Sequence, residues 1–303
     1  MTRSTGRFLL VLLGLYTLFR LFTTGVLLWI VAVHQDPLIF DGDVPRYFDL
    51  ATLWDGAWYE RIATTGYPAE LPVEDQGQVR QNEWAFYPIF PFLARLLMAV
   101  TGLPFAVAGP VVATVLGYAA AVVMGLMLRE RVGAAAALAG VALFAAFPAA
   151  PTLQVAYTES LAALLLCAVL WLLIRQKWLA AGAVALLTGL ARPIALPLGL
   201  VALVAVILRW RRRQTEPITG GEYAAMGAAL AGCGLSGLIW PAIVWAGTGV
   251  PDGYTVTMSA WRGGEQVTPF TPTLEMVQWL FGDLRGLVLL AGFFVLLGVM
   301  MLG

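Results

Sequence analysis

The chain has 303 residues, with 18 basic and 18 acidic side chains, 60% hydrophobic residues, 12% charged residues and a mean hydropathy of +0.82. Soluble domains carry about 25% charged residues, so a water-soluble globular class is excluded, and a zero net charge removes any general attraction to nucleic acid. One histidine, His34, leaves no set of histidines for a metal site.

Arg3 and Arg7 precede the apolar run Phe8–Val33. Basic flanks favour the cytoplasmic side, so this segment is expected to be a first span running outward. It is too long for a signal peptide and lacks a small-residue cleavage site, which predicts that it is retained. Arg20 falls in mid-span, where an unpaired charge costs at least ~2.5 kcal/mol. A polar partner on a neighbouring helix is favoured over a lipid phosphate.

Residues 34–83 then hold ten acidic side chains against Arg46, Arg61 and Arg80. A structureless loop of this length is unusual unless functional, and its acidity suits the non-cytoplasmic side. The whole stretch 34–103 reads as a first extracytoplasmic loop with interfacial helices. Within it, Leu53–Ala63 predicts a short amphipathic helix with Trp54, Trp58 and Ile62 on one face, ended by Gly66. Tryptophans of this kind favour the headgroup level.

Residues 84–100 are apolar enough to cross a membrane but carry Pro88, Pro91 and Arg95. If they cross, the cluster Arg209, Arg211, Arg212 and Arg213 lands outside, against the positive-inside bias. They are therefore expected to form a second interfacial or re-entrant helix. Later spans are expected at roughly 105–128, 133–151, 157–174, 178–191, 194–210, 222–247 and 284–303, with an outer loop over 248–283. The expected fold is an all-α polytopic membrane protein, a single domain over 1–303 with about eight transmembrane helices. Cys167 and Cys233 lie inside apolar runs and read as buried packing thiols. The sequence stops inside an apolar run, which predicts a natural chain continuing past Gly303. Nearly all basic residues are arginine, a bias that points to a GC-rich bacterial genome, and hence to a bacterial plasma membrane.

Four short motifs follow one another along the chain. They are Trp54-Asp55-Gly56-Ala57-Trp58-Tyr59 with Gly66-Tyr67, then Ala85-Phe86-Tyr87-Pro88-Ile89-Phe90-Pro91, then Tyr157-Thr158-Glu159-Ser160, then Ala191-Arg192-Pro193. In this order the sequence resembles the glycosylphosphatidylinositol mannosyltransferase II family and its bacterial homologues, of the GT-C superfamily of integral-membrane glycosyltransferases. It departs from the family at Leu53, where arginine is usual, and beyond residue 193 it matches only loosely through Trp261-Arg262. The resemblance implies a GT-C-like bundle and an inverting transferase. Such an enzyme moves mannose from a polyprenyl-phosphate-mannose donor to a lipid- or protein-linked hydroxyl acceptor on the extracytoplasmic face, without nucleotide or cofactor.

Inverting transfer needs a base at the acceptor hydroxyl and stabilisation of the departing phosphate. The motif makes Asp55 the expected base, although an aspartate there also serves as a helix cap. Asp41 and Asp43, in Asp-Gly-Asp spacing, are the alternative base. They could also hold a divalent cation, or simply make a turn. Glu159 either orients a sugar hydroxyl or complements a helix N-terminus. Arg192, fixed beside Pro193, and more weakly Arg262, are candidates for the donor phosphate; for Arg192 the alternative is interfacial snorkelling. Trp54, Trp58, Tyr59, Tyr87 and Tyr157 are candidates to line the substrate pocket, with interfacial anchoring as the competing role for the aromatics. Two other function classes stay open at this point: a non-catalytic partner subunit of a mannosyltransferase, and a lipid-linked-sugar transporter or flippase. The second would show inverted repeats, and the sequence has none that is convincing.

Overall fold

The computed structural model of the protein describes residues 3–33, 46–75, 77–263 and 271–302. It is 79% helical, with no strand among the described residues, and it divides into two compact units, Met1–Thr257 and Met258–Gly303.

The first unit opens with α1 (Arg3–Val33), and short helices α2 (Tyr47–Ala51), α3 (Asp55–Thr65) and α4 (Ile89–Thr101) follow. At 13 residues α4 is about 20 Å long, short of a ~30 Å hydrocarbon core. Pro88 stands at its start, and Gly102 in the left-handed conformation ends it.

Next comes α5 (Phe105–Ala146), whose helical path breaks at Gly133 (φ 82°, ψ 173°), a conformation that suits glycine. The chain folds back there. A Cβ at Gly140 would lie 2.9 Å from Leu128 Cδ1, whereas twelve residues of straight helix would separate them by about 18 Å. Phe8, Leu12 and Tyr16 of α1 pack against Ala121 on one arm and Ala137, Val141 and Ala145 on the other.

Arg20 closes the open end of this hairpin. Its guanidinium donates to the carbonyls of Ala150 (2.6 Å) and Ala145 (2.7 Å), and it lies over the Tyr16 ring. The last carbonyls of a helix have no partner inside it, so a buried cation is well matched there. The expected protein partner is thus present: two backbone carbonyls, with Gln154 Oε1 further off at 3.4 Å.

A second core joins α6 (Glu159–Ile174), α7 (Trp178–Thr188), α8 (Ala195–Arg211) and α9 (Gly220–Thr248). α7 and α9 approach until a Cβ at Gly232 would stand 2.7 Å from the Gly182 carbonyl oxygen. Small residues permit such backbone proximity. Cys167 and Cys233 are free and buried. Arg209 donates two bonds to the Glu222 carboxylate (2.7 and 2.8 Å), so it is not a free member of the basic cluster.

Among the described residues, three helices, Ser4–Val33, Phe105–Ala146 and Gly220–Thr248, are long and apolar enough to cross a membrane. α6, α7 and α8 have 16, 11 and 17 residues, fewer than the ~20 that a perpendicular crossing uses. Large apolar side chains face outward along α1 (Leu10, Leu18, Phe22) and α9 (Leu235, Leu238, Trp245). A soluble monomer rarely exposes such surfaces, and an integral membrane protein requires them.

The segment expected as an outer loop over 248–283 is substantially helical, containing α10 (Gly253–Trp261) and α11 (Thr271–Phe281). In the second unit, α11 and α12 (Asp283–Leu302) form a hairpin around Gly282 (φ 83°).

Candidate active site

The site is assembled by α3, the segment 82–91 and the turn that leads into α6. Asp55 is the first residue of α3 and half-buried. The helix ends as expected at Gly66, whose N–H bonds back to Ile62. Its buried face, however, is Gly56, Tyr59, Ile62 and Ala63. The expected Trp54–Trp58–Ile62 stripe is not formed, because Trp54 precedes the helix with a non-helical backbone (φ 52°, ψ −111°). Gly56 packs near Ala156, and the Ala156 N–H donates to the Ala51 carbonyl (2.8 Å). These contacts hold the start of α3 against the Tyr157-Thr158-Glu159-Ser160 turn.

Tyr59 is buried, its hydroxyl 3.4 Å from Thr158 Oγ1 and its ring edge-on to Phe86 and Phe90. Thr158 is a contact that sequence reasoning missed, although its place at the N-cap of α6 is a cue. Trp58 stacks on Phe86 at 5.7 Å and carries the Arg61 guanidinium on its ring at 4.5 Å. That cation–π pair has i, i+3 spacing, legible in principle from sequence.

Tyr87 is buried against Trp240, and its hydroxyl meets that of Tyr254 at 2.9 Å. Trp84 joins the same cluster, with Trp240 Nε1 donating to the Trp84 carbonyl. The buried Asn82 fastens the segment: its side chain accepts from the Trp84 N–H and donates to the Arg80 carbonyl and Thr257. The Ala85–Pro91 motif is therefore a wall between α3 and α9, and the Ile89 N–H reaches the Leu190 carbonyl just before Arg192.

Arg192 Nη1 donates to Glu159 Oε1 at 2.7 Å, with both side chains about one-third exposed. Among the described residues Glu159 is the one hydrogen-bond partner of this guanidinium, which carries five N–H donors in all. Asp55 lies within the electrostatic reach of both. Burial pushes its carboxyl above the usual carboxylate range, the Glu159 charge adds to this, and the Arg192 charge opposes it. Tyr157 completes the group: burial and the Asp55 charge push its hydroxyl up to about 12, while a hydrogen bond donated to it by the Asp55 backbone N–H pulls the other way.

The fold thus gathers Asp55, Tyr157, Glu159 and Arg192, three motifs distant in sequence. It leaves Trp54 exposed, Trp58 half-buried, and Tyr59 and Tyr87 buried. Asp41 and Asp43 lie outside the described residues. Arg262 belongs to the second compact unit, where it is exposed after α10. Among the described residues there is no group of three or more His, Cys, Asp or Glu side chains placed to hold a metal.

No family model, curated protein or solved structure matches the chain.

Proposed function

We propose that the protein is an inverting membrane glycosyltransferase, with about eight spans and its site at the extracytoplasmic end of the bundle. It would transfer mannose from polyprenyl-phosphate-mannose to a lipid- or protein-linked hydroxyl. The observation that carries the reading is the convergence of a half-buried carboxylate, Asp55, on the guanidinium of Arg192, itself paired with Glu159. That is the pair of charges which displacement of a phosphate by an alcohol calls for.

In this reading the acceptor oxygen attacks C1 of the mannosyl group as the C1–O bond to the phosphate breaks. Its proton passes to Asp55, and the bonding electrons leave with the polyprenyl phosphate, so a β-linked donor gives an α-mannoside. A raised pKa strengthens Asp55 as a base, a contribution of typically 10²–10⁴-fold in rate. Arg192 faces the negative charge that develops on the leaving phosphate, and Glu159 fixes its orientation. The short helices α6, α7 and α8 suit a bundle that stops early against a watery hollow.

The test is incubation of purified protein with labelled polyprenyl-phosphate-mannose and a panel of lipid and peptide acceptors. Labelled α-mannoside is expected. Donor binding without transfer to any acceptor would favour a non-catalytic partner subunit.

A further inference from the structure

The end of the first unit away from Asp55 is basic. From the Glu159 and Arg192 turns, α6 and α8 lead to that end, and α7 and α9 begin there. The turn at Gly133 and the start of α1 join them: Arg129 Nη2 donates to Ser4 Oγ (3.0 Å), and Arg131 Nη2 to the Ile174 carbonyl (3.3 Å). The helix ends that meet there bring as acids Glu130, Glu216 and Glu222. Arg175 takes Glu130, and the other two face Arg209. Among the described residues no ion pair engages Arg211, Arg212 or Arg213.

On α8 the side chains are sorted by face. Leu198, Ala202 and Arg209 are buried in the bundle, and Arg209 holds Glu222 there. The opposite face exposes Leu200, Leu203, Val204, Ile207 and Leu208. The i+3, i+4 repeat carries that face on to Arg211 and Arg212, both exposed. From Leu200 to Arg211 the helix rises about 17 Å, close to the depth of one leaflet of a ~30 Å hydrocarbon core. At the head of the stripe Arg213 bends back. Its guanidinium lies 3.5 Å from the centre of the Trp210 ring, and its Nη1 donates to the Trp210 carbonyl (3.2 Å). The Trp210 indole is itself half-exposed. Such indoles favour the headgroup level, so this contact holds a cation at the depth of lipid phosphates instead of letting it extend into water. Neutralising the end of the helix does not require the cluster, because Arg209 already stands in the last turn and Arg212 and Arg213 lie beyond it.

We propose that the end of α8 is a binding site for an anionic phospholipid, with an acyl chain along the stripe over 200–208 and the phosphate on Arg211, Arg212 and Arg213. A zwitterionic lipid brings the same phosphate with a compensating ammonium, so three unpaired guanidiniums select net negative charge. A free phosphate would use the arginines and leave the apolar stripe unused. The site shares no residue with the Asp55 group and stands independently of the transferase reading.

The experiment adds equal amounts of phosphatidylglycerol and phosphatidylcholine to the full chain in a neutral detergent and counts retained lipids by native mass spectrometry. Wild type, Arg211→Gln/Arg212→Gln and Lys177→Gln are compared; all three replaced side chains are exposed, so the variants should fold as wild type. Wild type should retain phosphatidylglycerol in preference. The double variant should lower that preference roughly 25-fold, about fivefold per basic side chain at an anionic surface. Lys177→Gln removes a cation of the same end that lies off the stripe, and should keep the preference. Glycerol 3-phosphate added to the wild-type mixture should not displace the lipid. Equal retention of the two lipids by wild type, or an unchanged preference in the double variant, overturns the proposal. A loss in Lys177→Gln as large as in the double variant overturns it in favour of diffuse charge, and displacement by glycerol 3-phosphate overturns it in favour of a free-phosphate site.

Discussion

Replacing Arg20 by methionine keeps the length and apolar stem of the side chain while deleting its charge and donors. The wild-type guanidinium is 4% exposed and bonds two carbonyls, at 2.6 and 2.7 Å, with Gln154 Oε1 further off at 3.4 Å. Hydrogen bonds from charged groups contribute about 1.5–3 kcal/mol each, so the two short ones sum to roughly 3–6 kcal/mol gross. Methionine also avoids the several kcal/mol needed to bury a cation, but it leaves the Ala145 and Ala150 carbonyls without their donor. Each buried carbonyl left without a donor costs about 1–3 kcal/mol, so the two together lose roughly 2–6 kcal/mol, and a loss of ~3 kcal/mol is expected. At ~2–4 °C per kcal/mol for a domain of this order of size, the melting temperature in detergent should fall by roughly 6–12 °C. Tryptophan fluorescence during heating reads this directly. Arg20→Lys should fall between, since one ammonium does not reproduce the planar fork across two carbonyls. A fall in Arg20→Met of less than about 2 °C would refute the reasoning and return Arg20 to the lipid-phosphate role.

The Asp55 site predicts opposite pH responses from its two neighbours. Glu159→Gln removes a negative charge that raises the Asp55 pKa, so the acidic limb of kcat/KM should move to lower pH; Arg192→Gln removes a positive charge that lowers it, so the limb should move higher. Shifts in the same direction would contradict the electrostatics. In the second core, Gly232→Leu should abolish a monodisperse size-exclusion peak, since its Cβ meets the Gly182 backbone, which has no room to give. On the same helix a methyl at Gly227 would meet no atom within 4 Å, and Gly227→Ala should be neutral or stabilising by up to about 1 kcal/mol in thermal melts.

Helix positions are legible because apolar runs and their punctuation are local. Thus 222–247 corresponds to Gly220–Thr248, 194–210 to Ala195–Arg211, and Gly66 ends α3. Where side chains from distant segments decide the outcome, the sequence is silent. Hydropathy stops the helix after Phe105 at 128, but it continues through Glu130, which is held by Trp171 and Arg175. The expected span 133–151 ends instead at Ala146, before Pro148 and Pro151, and the short 3₁₀ turn that follows supplies the Ala150 carbonyl to Arg20. Periodicity misreads the buried face of α3 because it assumes helical backbone at Trp54, and one positive φ removes that residue from the helix. The motifs name Asp55, Glu159 and Arg192 separately; the ion pair between the last two is a tertiary fact no spacing encodes.

The sharpest measurement is single-turnover mannose transfer by Asp55→Asn beside wild type, with donor affinity and melting temperature recorded on the same preparations. A carboxyl whose pKa is raised by folding stabilises the protein fully only below its unfolded pKa of about 3.9, and that contribution is lost as pH rises through the folded value. The variant should therefore melt at or above wild type at pH 7, with the difference closing in acid. It should bind donor as before and lose transfer by at least ~10²-fold. Wild-type transfer rates in a well-folded Asp55→Asn would contradict the account.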